Sequence, residues 1–132
     1  MRSIKIIFFL IGLASILFSV RCTYNKWPES PVSHDTVSFN KQIIPIFTQF
    51  CATSRCHNAD YINNNVPIDL DSNMAYNQLT GSNSVFVYPY APNTSILYIE
   101  VQENVMPLYL PSLSFIQKQE IYNWIQQGAK NN

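Results

Sequence analysis

The sequence predicts an all-α protein with long loops, and three observations carry that expectation. Four stretches place apolar residues at helical spacing behind residues that cap helices. No two runs alternate polar and apolar residues in a way that would pair them as strands. The chain between those stretches is rich in Asn, Asp and Pro, the composition of loops.

The first segment reads as an export signal, residues 1–22. Arg2 and Lys5 form a short positive region, and Ile6 to Val20 is an almost unbroken apolar run of 15 residues. Such a run spans roughly 22 Å as a helix, short of the ~30 Å hydrocarbon core of a membrane. A buried core helix would show a polar face, and this run has only Ser15 and Ser19. Cys22 follows directly and resembles the lipidated cysteine of a bacterial lipoprotein signal, with Arg21 standing where a small residue is usual. A lipid on Cys22 would tether the protein to a membrane surface without spanning it. The alternatives here are a secreted protein with a leftover thiol, or a retained N-terminal anchor. Residues 23–37 mix Pro, Ser and charge without apolar period and read as a flexible tether, with His34 as a solvated linker histidine.

Residues 38–132 form the folded domain. Asn40 is expected to cap a helix through about Phe50, carrying Ile43, Ile44, Ile46 and Phe47, with a kink at Pro45. Residues 58–71 read as loop. Ser72 is expected to cap a second helix that holds Met74, Tyr76 and Leu79 and stops at Gly81. Asn93 or Ser95 caps a third, with Ile96, Leu97, Ile99 and Val101. Residues 103–112, with two prolines, read as an extended loop. The last helix has the clearest signal. Ser114 and Gln117 make a capping box; Ile121, Trp124 and Ile125 make one apolar face; Gly128 is a stop. Lys118 occupies the position where a hydrophobic staple would place an apolar residue. The expectation is therefore three to five short helices.

Composition narrows the function classes. Eight Lys and Arg face eight Asp and Glu, and no basic face or stripe exists for a nucleic acid. Without Arg2, Lys5 and Arg21, five bases face eight acids, a net of −3, which favours a basic partner weakly. Charged residues at 12% and aromatics at 14% describe a folding chain rather than a disordered one. No catalytic triad, paired carboxylate site or phosphate loop is visible, so no enzyme with its own substrate is expected.

A core of this size is marginal on apolar burial alone, and the loops are long, so a further organising element is expected. The cysteines supply the candidate. Cys51-Ala-Thr-Ser-Arg-Cys56-His57 is a C-x4-C-H cluster at the end of a helix. In the usual C-x-x-C-H signature two thiols bond the two vinyl groups of haem, and the next His is forced under the iron. Two added residues can bulge outward while both sulfurs still meet their vinyls. The competing reading is a Cys51–Cys56 disulfide closing a short loop, which would leave His57 unused. Zinc lacks a second pair of ligands.

Beyond this cluster the domain resembles a class I c-type cytochrome of exported bacterial proteins. Ile43-Ile44-Pro45-Ile46-Phe47 leads into Cys51; Pro92-Asn93-Thr94-Ser95-Ile96-Leu97-Tyr98 opens a later helix; Met106-Pro107 follows; and Ile121, Trp124, Ile125, Gly128 and Ala129 close the pattern. The resemblance implies a cytochrome c-like fold around one covalent haem c, with Cys51 and Cys56 as thioethers, His57 as the proximal iron ligand and Met106 as the distal one. The spacing of four and Asn58, where Gly is frequent, depart from the pattern. Met74 competes with Met106 on composition alone, and an open sixth position is the third alternative. Tyr88, Tyr90 and Tyr109 are expected to crowd the pocket. The function so implied is electron transfer at the cell envelope, with a redox partner protein and a membrane surface reached through the N-terminal anchor. The alternatives are a haem-free, disulfide-closed binding module, and an open iron site that reacts with peroxide or a small gas.

Overall fold

The computed structural model describes residues 35–62 and 66–132. The expected signal peptide, Cys22, His34 and residues 23–34 of the tether lie outside the described residues. Among the described residues there are four α-helices and no strand: α1 (Ile44–Phe50), α2 (Ala75–Thr80), α3 (Ile96–Gln102) and α4 (Phe115–Gln126). None is long and apolar enough to cross a membrane. The all-α expectation holds.

The packed chain begins at Val37, which the sequence placed at the end of the tether. Val37 is buried, and its N–H donates to Gln127 Oε1 at 2.8 Å. Helical winding then starts at Ser38, two residues before the expected Asn40. Ser38 is extended, its Oγ accepts from Lys41 N at 3.3 Å, and its own N–H donates to Gln42 Oε1 at 2.8 Å. Asn40 is already inside the winding. Residues Phe39–Ile43 form a wide π-type turn in which the Ile44 N–H reaches back to Phe39 O. Pro45 has no N–H for the carbonyl four residues earlier, so the regular ladder cannot run through this point. The winding changes here from the π-type turn to α1, which holds Pro45 in its first turn.

α2 starts later than expected. Ser72 does not cap it; Met74 N and Ala75 N both bond Asp71 O, and the helix opens at Ala75. Met74 is thereby left outside the helix and 43% exposed, not filling a gap in the core. Gly81 ends α2 as expected. Ser95 precedes α3 but turns its side chain elsewhere. It is fully buried, its Oγ donates to Ala91 O at 2.9 Å, and it accepts from Tyr88 N at 2.9 Å. One hydroxyl thus ties down the irregular chain before α3.

α4 matches its sequence signals closely. Both hydrogen bonds of the Ser114–Gln117 capping box are present, and Ile121, Trp124 and Ile125 are buried. Its end is a Schellman turn: Gly128 N bonds Ile125 O at 3.0 Å and Ala129 N bonds Trp124 O at 2.9 Å. Gly128 has φ +99°, a conformation that favours glycine, and a Cβ there would sit 2.7 Å from the exposed Tyr90 ring, which would have to move. α4 packs against the first turn of the fold. Phe39 lies 5.0 Å from Trp124 and 5.3 Å from Tyr76 between ring centroids, and Trp124 Nε1 donates to Lys130 O at 2.9 Å. Asn132 closes this side, its backbone oxygen accepting from Asn40 N at 2.9 Å and from Ser38 Oγ at 2.8 Å.

Candidate functional site

α1 delivers the cysteine cluster. Cys51 caps the helix, its N–H bonded to Phe47 O at 2.8 Å. The chain then folds back on itself: Cys56 N bonds Thr53 O, and His57 N bonds Cys51 O, both at 3.0 Å. Arg55 sits in this turn with φ +66°, a left-handed conformation costly to most residues. The two residues beyond the usual spacing are therefore taken up as a tight local turn, and both cysteines still reach the same wall.

His57 is oriented by the loop that follows. Its carbonyl accepts from Leu70 N at 2.8 Å, and its Nδ1 lies 3.2 Å from Ile68 O. A carbonyl only accepts, so Nδ1 donates in this contact, and in the neutral ring Nε2 is then the nitrogen whose lone pair a metal would use. The 58–71 segment, featureless in sequence, thus sets the tautomer of the imidazole.

Met106 comes from the far end of α3. That helix also ends in a Schellman turn: Asn104 N bonds Val101 O at 3.3 Å, and Val105 N bonds Glu100 O at 3.0 Å. Asn104, at φ +59°, takes the left-handed place that Gly128 takes in α4. Met106 N shares the same Glu100 carbonyl at 3.1 Å, so the residue is launched directly from the helix end.

Cys51, Cys56, His57 and Met106 all line one cavity of about 380 Å³. Its wall is otherwise largely apolar, including Phe50, Leu70, Leu79, Phe86, Leu97 and Val101. Arg55 and Glu100 are the charged groups among the lining residues, beside His57. A volume of this size falls within the range of cofactor and ligand pockets. Both thiols are free of any disulfide bond. Cys51 is 9% exposed, and burial first, then the neighbouring Cys56, pushes its thiol from 9.0 up to about 12. Cys56 is the more accessible of the two.

The structure thus brings four of the sequence-predicted site residues together and separates the rest. Met74 does not line the cavity. Of the three tyrosines expected there, only Tyr109 lines it; Tyr90 instead lies against Gly128. Cys22 lies outside the described residues. Sequence reasoning missed the Ile68 and Glu100 carbonyls, because backbone acceptors leave no mark in side-chain identity. It also missed Arg55, whose signal was the lengthened spacing itself.

The donor set suits a haem. Two unpaired thiols, an imidazole with a free nitrogen and a thioether meet in a slot walled by hydrocarbon. No cluster of three or more His, Cys, Asp or Glu that could hold a bare metal ion occurs among the described residues. Comparison with protein-family models, with curated proteins and with solved structures finds no match to this chain.

Proposed function

We propose that this protein is a monohaem c-type cytochrome that carries electrons at the bacterial cell envelope. The observation that carries the reading is the convergence of the Cys51, Cys56 and His57 segment with the distant Met106 on one largely apolar cavity. A disulfide-closed module would have no use for the imidazole or the thioether at that place.

In this reading Cys51 and Cys56 would hold haem c through thioethers, and His57 and Met106 would ligate its iron. When bound, the haem supplies a one-electron iron couple, and a His/Met pair raises its potential. The remaining work belongs to the protein. The Ile68 carbonyl fixes the ring of His57 and keeps Nε2 available. The Schellman turn of α3 presents the Met106 sulfur. Phe86, Leu97 and the other apolar walls exclude water and lower the local dielectric, which strengthens the effect of nearby charge. Encounters with the redox partner protein are small and transient, as usual for electron exchange. The export signal over residues 1–22 and a lipid on Cys22 would place this domain at a membrane surface, and neither is required for the cavity chemistry.

The test is the pyridine haemochrome spectrum and intact mass of the protein produced alongside a cytochrome maturation system. One haem per chain is expected, and Cys51→Ala or Cys56→Ala leaves one thioether or none, with lower yield. A colourless, folded product with Cys51 bridged to Cys56 would overturn the reading in favour of a haem-free binding module.

A further inference from the structure

Lys118 occupies the position on α4 where a hydrophobic staple would put an apolar residue, and the capping box explains nothing about it. The structure gives its ammonium a partner: Nζ donates to Asn104 Oδ1 at 2.6 Å, across 14 positions of sequence. Asn104 is the left-handed residue that closes the Schellman turn of α3. Asn tolerates this conformation better than most residues, and a side chain held from outside fixes it further. Two residues later the chain reaches Met106, whose N–H hangs on the same turn through Glu100 O. Lys118 itself stays in place through its own N–H, bonded to Ser114 O at 3.1 Å.

We propose that Lys118 and Asn104 are positioning residues that clamp the root of the Met106 loop to α4 and hold the sulfur at the cavity. α4 is anchored in the core by Ile121, Trp124 and Ile125, so it is a rigid support. The loop beyond Met106 is not: Leu108, Tyr109 and Leu110 are all exposed, Tyr109 at 95%. The clamp isolates the ligand from that exposed neighbour. The part played by the sulfur rests on the proposed haem function; the clamp itself does not.

Lys118→Met keeps the aliphatic stem and removes the donor. Asn104→Gly keeps the left-handed backbone and removes the acceptor. Amide hydrogen exchange of Val105 and Met106 in the full chain should accelerate about fivefold in each variant, the worth of one hydrogen bond. The double variant should go no further, since either change alone breaks the same contact. Unchanged exchange, or effects that add, would overturn the clamp. In the haem-loaded protein the ferric form should take up external imidazole faster by a similar factor, with haem content unchanged. The sulfur-to-iron charge-transfer band should weaken in both variants. A wild-type protein that carries haem without this band would overturn Met106 as ligand and the role given to the clamp. A wild type that shows the band, with variants that take up imidazole no faster, would overturn the clamp alone.

Discussion

The two sides of this molecule are built from similar short helices and behave as opposites. On one side Phe39, Ile121, Trp124 and Ile125 meet with almost no exposure, and the chain ends of the domain are stitched together by Asn132. On the other side α1 and α3 end at a cavity of about 380 Å³ lined by Cys51, Cys56, His57 and Met106. The first side stabilises itself through dense contact. The second arranges donor atoms around a largely apolar cavity, into whose wall Leu70, Leu79 and Val101 continue the core. The helix ends differ as well. α4 ends on Gly128, which lies against the exposed Tyr90 ring, whereas α3 ends on Asn104, whose side chain is held from outside by Lys118.

This contrast predicts that substitutions on the packed side lower stability more than substitutions on the cavity rim. Trp124→Ala removes a buried ring from the packed side and should cost about 3–5 kcal/mol. A domain of this size would then melt more than about 10 °C lower. A normal melting temperature would show that the packed side does not carry the fold.

The next effect is an alkaline loss of stability at Cys51 on the cavity side, separate from a contribution by Tyr98, whose hydroxyl is also pushed up by burial and by Tyr122. Burial and then Cys56 hold the folded Cys51 thiol at about 12, against 9.0 for the free group. Below pH 9 both folded and unfolded forms keep the proton and nothing is lost. As pH rises from 9 towards 12 the unfolded chain gives its proton up first, so stability falls by about 1.4 kcal/mol per pH unit at most. Denaturant titrations of haem-free protein should show this loss, and Cys51→Ala should flatten it. In the proposed haem-bound form a thioether would have no proton to lose, so the loss should be abolished there as well. An identical alkaline slope in wild type and Cys51→Ala would place the thiol outside the buried wall.

Gly128→Ala sharpens the comparison at a helix end. The new Cβ meets the Tyr90 ring and adopts a left-handed backbone, at about 1–3 kcal/mol. Adding Tyr90→Ala should recover the contact part of that cost and leave the backbone part, as read by thermal unfolding. Full recovery would show that φ at this position carries no strain. The smallest effect belongs to the open side. Leu108→Ala, at a residue 51% exposed on the cavity rim, should change unfolding free energy by less than about 1 kcal/mol. A larger loss would mean that the rim is part of the core.

How much was legible follows the same line. α4 was readable from end to end, because its cap, its apolar face and its stop are all local signals carried by side chains. α1 and α2 were placed with shifted starts. Ser38 wins the cap because Gln42 bonds back to it, and Asp71 claims the amides that Ser72 was expected to hold. The cysteine cluster and Met106 were visible as residue types in order. Their meeting was not, since 49 positions separate His57 from Met106 and no local rule brings them together.

The sequence by itself determined an all-α chain, its clearest helix and the identity of the chemical groups. Those follow from periodicity, capping and donor atoms, which act within a few residues. Only the tertiary structure decided that Cys51, Cys56, His57 and Met106 share a cavity, that Ile68 sets the imidazole, and that Met74 stays outside. Those outcomes depend on backbone carbonyls and on contacts between distant segments, whose energies appear only once the chain has closed on itself.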